Sequence, residues 1–224
     1  MAAGGREIEI KLRVSDIAAL RKLLRRIGAK PQPRMFERNV LYDTAGGELQ
    51  RTGQLLRIRV EVPAARGTVR PRIAPLTSAE SRSERRRMAW RGILTYKAPL
   101  ESENGAAVRS PYKERREIEV QFQPVEQMEA IIEALGYRPG FIYEKFRQTY
   151  RHPRFAGLHF DLDETPLGSF LELEGTPPEI DAAAQLLHFT TGDYVTATYW
   201  DLHVADCRGR KAAPGHLIFA RPRK

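Results

Sequence analysis

Arg6-Glu7-Ile8-Glu9-Ile10-Lys11-Leu12-Arg13-Val14 (REIEIKLRV) alternates ionised and aliphatic residues without a break. Period two is the mark of a β-strand with one apolar face and one charged face. Arg116-Glu117-Ile118-Glu119-Val120 (REIEV) repeats the opening five residues with one conservative change. Each copy leads into a helical apolar pattern that ends alike, LLRRIGAKP at 23–31 and IIEALGYRP at 131–139. Each is then followed by an extended stretch, ERNVLYDT at 37–44 and EKFRQTY at 144–150. This order predicts two strand–helix–strand halves that close into one sheet, not two separate domains.

Outward from these copies, Ile17, Leu20, Leu23, Leu24 and Ile27 fall at helical spacing, with Gly28 as the stop. Strands are expected at 34–44, 54–62, 93–97, 113–122, 140–151, 157–163 and 169–174. Helices are expected from Pro124 to Leu135 and over 179–190, and TATYWDLHV at 196–204 reads as short helical or extended. Residues 61–91 hold three prolines and eight arginines against three glutamates, with neither period, and predict a long mobile basic insertion. The basic tail 207–224 is expected to be loosely held. The whole 1–224 therefore reads as a single α+β, mainly β domain with its core at about 6–203.

The chain has 224 residues and a net charge of +9, so an anionic partner is favoured. Cys207 is its only cysteine, which excludes an intrachain disulfide or a thiolate metal site. MAAGGREIEI lacks the apolar run of a signal peptide and no stretch has the length of a membrane span, so a cytoplasmic protein without membrane attachment is expected. The five histidines show no metal-ligand spacing. Tyr199 and Trp200 are expected to cover the core, and Arg85-Arg86-Arg87 to be a solvated loop, with a lid or nucleic-acid contact as the alternative.

Alternation places a set of ionised side chains opposite the apolar faces. The basic ones are Lys11, Arg57, Arg59, Lys97, Arg115, Lys145 and Arg147. The acidic ones are Glu7, Glu9, Glu117, Glu119, Asp161, Asp163, Glu172 and Glu174. One strand of this kind reads as a solvated face laced with ion pairs. The recurrence of Glu-x-Glu and Arg-x-Arg on nearly every strand argues instead that the faces turn inward. A dry charged lumen is prohibitively costly, whereas one filled with water, divalent cations and a polyanion is not. Arg and Lys suit phosphate oxygens, and carboxylates suit hard cations that orient phosphate and activate a nucleophile.

Glu7-Ile8-Glu9-Ile10-Lys11 resembles the ExExK signature of the CYTH superfamily, the triphosphate tunnel metalloenzymes. LLRIR at 55–59, LTYKAP at 94–99, YKERREIEV at 112–120, EKFRQTY and LDETPLGSFLELEG at 162–175 extend the resemblance in order. It implies a closed eight-stranded antiparallel β-barrel with flanking helices, holding a triphosphate and Mg²⁺ or Mn²⁺. It further implies Lys11, Arg57, Arg59, Lys97, Lys145 and Arg147 as phosphate ligands. Glu7, Glu9, Glu172 and Glu174 follow as the main metal carboxylates, with Glu119 and Asp163 as additional acidic groups and Glu117 less firmly placed. Glu7, Glu9, Lys11 and Glu119 are the expected catalytic set, while Asp161 matches less well and reads as a surface or structural carboxylate. The wording is most similar to the class IV adenylyl cyclase-like and thiamine triphosphatase branch. ATP cyclisation to cyclic AMP and pyrophosphate is therefore expected, against hydrolysis of ATP, thiamine triphosphate or tripolyphosphate. A non-catalytic polyphosphate or nucleic-acid binder is a third reading, disfavoured by both Glu-x-Glu pairs. A homodimer is allowed.

Overall fold

The computed structural model describes residues 5–65, 67, 91–100 and 110–220. Nine strands form one antiparallel sheet: β1 Gly5–Val14, β2 Lys30–Pro31, β3 Met35–Asp43, β4 Leu55–Pro63, β5 Arg91–Pro99, β6 Lys113–Phe122, β7 Arg138–His152, β8 Phe155–Thr165 and β9 Gly168–Glu174. Their order is β2-β7-β3-β4-β5-β6-β1-β9-β8, and pairing of β7 with β8 closes eight of them into a barrel. The two copies read from the sequence thus meet as adjacent strands, with Glu7 opposite Arg115 and Glu9 opposite Lys113.

Helices cover the outside. α1 (Ile17–Arg26) starts where the Asp16 carboxylate accepts the Ala19 N–H, and Gly28 ends the turn at φ +94°. It buries Leu20 and Leu24 against Ile10, Leu12, Leu162 and Leu171, together with Ile180 and Ala183 of a later helix, Pro177–Leu186. A helix at Val125–Ala134 packs Val125 and Ile132 onto Ile58, Val60 and Phe36. In chain order a short α2 (Glu48–Arg51) precedes these, so they are α3 and α4, and α5 is Tyr199–Gly209. Most of the outward apolar faces are thereby covered by helices, with Val120 of β6 left 51% exposed, and the ionised faces lie inside. No helix among the described residues is long and apolar enough to cross a membrane.

Several boundaries differ from expectation. β4 runs on to Pro63 and β5 begins at Arg91, so both ends of the expected insertion are strand. The rest of that stretch, with Arg85-Arg86-Arg87, lies outside the described residues. α4 stops at Leu186 and not at 190, because His188 takes φ 65°. TATYWDLHV is helical, since Thr198 and Asp201 form a reciprocal cap at its start.

The described part of the tail, to residue 220, is docked and not loose. Leu217 exchanges backbone bonds with Ile142 and Glu144 of β7 at 2.9 Å each and is 4% exposed. Val195 likewise pairs with Lys11 at 3.0 and 2.9 Å, beyond the point where β6 stops accompanying β1. The chain after residue 190 thus seals both places where a barrel strand loses its neighbour.

Candidate active site

The lumen is a cavity of about 830 Å³. Every phosphate ligand expected from the sequence lines it: Lys11, Arg57, Arg59, Lys97, Lys145 and Arg147. Each cation is held by a carboxylate. Lys145 Nζ is 2.8 Å from Asp163 and Lys11 Nζ is 3.0 Å from Glu9 and 3.3 Å from Glu172. Arg147 bridges Asp161 and Asp163, each at 2.7 Å, and also touches Glu172. Lys97 Nζ sits between the two Glu7 oxygens at 2.5 and 2.6 Å and reaches Glu117 at 3.1 Å. Arg57 donates to Tyr143 at 3.1 Å, Thr95 at 3.0 Å and Glu119 at 3.3 Å.

This lattice fixes the charge states. Burial alone would raise the Glu9 carboxyl, but Lys11, Lys113 and Lys97 outweigh it and hold the group well below the carboxylate range. Glu172 is held down in the same way by Lys145, Lys11 and Arg147 against its burial. Burial would lower Lys11, and Glu9 with Glu172 push it above its ordinary value instead. Glu119 lies below its usual value because Thr95 and Arg57 overcome burial. Burial raises Asp163 despite Arg147 and Lys145.

Among the described residues three buried donors lack a hydrogen-bond partner: Arg21 Nε on α1, and Arg57 Nε and Asn39 Nδ2 on the barrel strands. Buried donors of this kind in a cationic lumen fit an anion with many oxygens. The complementary deficit lies among the carboxylates. Oxygens of Glu7, Glu117 and Glu174 all lie within 4.8 Å of one another. Burial, with Glu7 and Glu119 nearby, pushes Glu117 up to about 7 against the pull of Lys97. Burial and the Glu7 carboxylate push Glu174 up to about 8. Three carboxylates share the single ammonium of Lys97, and such a cluster of hard oxygen donors with excess negative charge suits a divalent cation such as Mg²⁺ or Mn²⁺.

The expected metal residues therefore separate into two groups. Glu7 and Glu174 meet in one cluster, which Glu117, the residue less firmly placed, joins; Glu7 and Glu117 share Lys97 there, and Glu174 has no ion pair among the described residues. Glu9, Asp163 and Glu172 are engaged by ammonium and guanidinium groups, and Asp163 also accepts from Tyr199 at 2.8 Å. Asp161, expected as a surface or structural carboxylate, is not at the surface. It is 5% exposed and accepts from Thr149 at 2.6 Å and Arg147 at 2.7 Å.

Four contributors escaped the sequence reading. Lys113 binds Glu9, and burial with Lys11 and Lys97 lowers it despite that partner. Glu37, 3.3 Å from Arg59, is held at about 2 by Arg59, Lys145 and Arg147 against its burial. Both lie on the inward parity of their strands, a signal that alternation carries. Tyr143 shares that parity with Lys145 and Arg147 on β7, whereas Tyr199, on a helix, had no such signal. Tyr199 comes from α5 and places its ring 5.4 Å from Lys11 Nζ and 5.3 Å from Lys145 Nζ, so it both covers the core and lines the lumen.

At one mouth the wall changes character. Leu41, Leu49, Phe141 and Trp200 line it with Asp43, Gln50 and Gln54 among them, and Phe141 meets Trp200 edge-on at 4.8 Å. The opposite mouth carries Glu61, Thr149, Arg151 and His159.

Comparison with known proteins places this architecture. A putative adenylate cyclase of Vibrio parahaemolyticus superposes with a TM-score of 0.66 at 18% identity, over 89% of this chain and 98% of the other. A Pyrococcus horikoshii protein gives 0.63 at 21% identity, over 89% and 99%. A Hippeastrum protein, described as a putative adenylyl cyclase with a dominant triphosphatase activity, gives 0.52 at 19% identity over 93% and 98%. In sequence, a putative adenylate cyclase of Methanocaldococcus jannaschii is 24% identical over 181 residues, 81% of this chain and 83% of that protein. The model of the CYTH domain matches residues 5–190, from the first strand to beyond α4. The chain therefore belongs to the CYTH domain family and is an enzyme of the metal-dependent triphosphate-tunnel kind.

Proposed function

We propose that the chain acts on a nucleoside triphosphate, converting ATP to cyclic AMP and pyrophosphate in the manner of a class IV adenylyl cyclase. The observation that carries this reading is the continuity of the cavity, from the cation-lined middle into a vestibule walled by Leu41, Leu49, Phe141 and Trp200. Inorganic tripolyphosphate would leave that vestibule unfilled, whereas a base and ribose offer the flat apolar surface its aromatic wall suits.

Phosphate oxygens take over the donors of Arg57, Arg59, Lys145 and Arg147, starting with the unpaired Arg57 Nε and Asn39 Nδ2. Lys11 and Lys97 remain protonated, since neighbouring carboxylates raise both against burial, and they neutralise charge developing on the departing phosphates. Tyr199, pinned to Asp163, holds the wall against which Lys11 and Lys145 are fixed. Glu7, Glu117 and Glu174 would hold Mg²⁺ or Mn²⁺, which supplies Lewis-acid polarisation of phosphate oxygens when bound. In cyclisation the ribose 3′-hydroxyl attacks the α-phosphorus; the new O–P bond forms as the bond to pyrophosphate breaks, and the hydroxyl proton ends on the departing pyrophosphate.

Hydrolysis at the γ-phosphorus is the second reading, favoured by the triphosphatase activity described for the Hippeastrum neighbour. Incubation with ATP, thiamine triphosphate or tripolyphosphate plus Mg²⁺ or Mn²⁺ separates the two. Cyclic AMP with pyrophosphate from ATP supports the cyclase; orthophosphate with the corresponding diphosphate supports the hydrolase. No turnover of any of them would leave a binding protein.

A further inference from the structure

Most ionisable groups lining the lumen have a hydrogen-bond or ion-pair partner; among the described ones Arg115, Arg151, His159 and Glu174 do not, and of these four His159 and Glu174 can ligate a cation. Among the described residues, His159 and Glu174 have no hydrogen bond and no ion pair. The β8–β9 register sets them directly opposite each other, and sets Asp161 opposite Glu172 one inward step away. A donor atom from each of His159, Asp161 and Glu174 lies within 4.8 Å of the others. Donors on opposite sides of one ion stand about 4.4 Å apart, so small side-chain adjustments suffice to share one. Asp161 is held in place by Thr149 and Arg147, while His159 and Glu174 have no competing protein contact to give up.

This cluster shares Glu174 with the all-oxygen cluster of Glu7 and Glu117 but differs in chemistry. An imidazole nitrogen contributes little to Mg²⁺, which prefers oxygen and retains its water. Divalent transition ions gain from nitrogen ligation. We infer that His159 is a metal ligand, and that with Asp161 and Glu174 it forms a nitrogen-bearing site selecting a divalent transition ion over Mg²⁺. Glu174, common to both clusters, would then either bridge two ions or pass one between an oxygen-only and a mixed setting. The inference rests on reading the lumen as a metal-dependent triphosphate site and adds which class of ion it takes.

The test uses the full chain, stripped by a chelator and reloaded with Mn²⁺. The electron spin echo of bound Mn²⁺ is expected to carry modulation from an imidazole nitrogen. That signal should vanish in His159→Gln and persist in His203→Gln, which controls for the separate grouping of His203, Asp206 and Cys207. Loss of the ligand is expected to weaken Mn²⁺ binding about tenfold or more while Mg²⁺ binding shifts by less than about threefold. Absence of nitrogen modulation in the wild-type protein would overturn the inference without reference to how any variant folds. Equal weakening of Mn²⁺ and Mg²⁺ in a folded His159→Gln would do the same. Metal-dependent turnover by that wild-type protein would leave the enzyme reading intact; failure to bind either ion or turn over any triphosphate would remove both.

Discussion

Glu9 stands where the two halves of the lumen meet, opposite Lys113 on β6 and Glu174 on β9. Its carboxylate keeps Lys11 and Lys113 neutralised, so Glu9→Gln preserves shape and hydrogen-bonding capacity but removes the charge. Turnover is expected to fall about 10²–10³-fold, while circular dichroism retains the β spectrum and melting stays cooperative. Undiminished turnover would contradict the assignment. Glu117 and Glu174 bind protons more tightly in the folded than in the unfolded chain, since about 7 and about 8 lie above the ordinary 4.5. They therefore favour the folded state fully below about pH 4.5, and that contribution is lost as pH rises through 7 and 8. Without divalent metal, the melting temperature is expected to fall over that window. Glu174→Gln should flatten the slope, as should saturating Mg²⁺; an unchanged slope in the variant would refute the cause given.

How far the residues were legible follows from where each signal lies. Glu7, Glu9, Lys11 and the Arg-x-Arg pair were legible because alternation along one strand needs no knowledge of its neighbours. Lys113 and Glu37 carried the same parity signal. His159 carried it too, two residues before Asp161, but its approach to Glu174 on another strand is set by the register alone. Tyr199 sits on a helix, where period two says nothing, and its approach to Lys11 depends on how α5 docks.

At the scale of elements, helices and strands were predicted by periodicity and capping, and the error lay in the C-terminal segment. Apolar residues at Leu217 and Phe219 are too few to show a period, yet Leu217 joins the buried cluster of Phe141, Tyr143 and Tyr199. Phe219 packs on Phe146 at 5.2 Å, and its N–H donates to Glu144. Leu217→Ala should cost about 2–3 kcal/mol, a melting shift of several degrees, because the backbone bonds to β7 remain while the side-chain volume is lost. A change within error would show that this segment does not seal the wall. The connection from β4 to β5 is expected to be dispensable to folding. Glu61 pairs with Arg91, so the ends already meet, and Ala64 N–H bonds Arg34. Deleting 66–88 keeps these contacts and should leave a cooperative thermal transition; its loss would place that stretch within the folding core.

Across the whole molecule, a barrel whose interior is an ion-pair lattice is stabilised by whatever replaces the internal partners with better ones. Mg²⁺ with a non-turned-over triphosphate analogue at about a hundred times its Kd should add about 2.7 kcal/mol. A thermal shift of roughly 5–10 °C is the corresponding readout for a chain of this size. The analogue alone, facing Glu7, Glu117 and Glu174 without a cation, should give less; an equal shift would argue that the carboxylates do not hold metal. β1 also sets the pace at which any of this can form. It comes first in chain order among the described strands, yet its neighbours are residues 113–117, residues 169–174 and finally Val195. No local hairpin can shelter it, so closure waits for nearly the entire chain and carries the loop-closure cost of distant pairing. During synthesis the strand that will meet the substrate remains the last wall to be built in, and its alternating charges keep it soluble and unattractive to other strand edges until then.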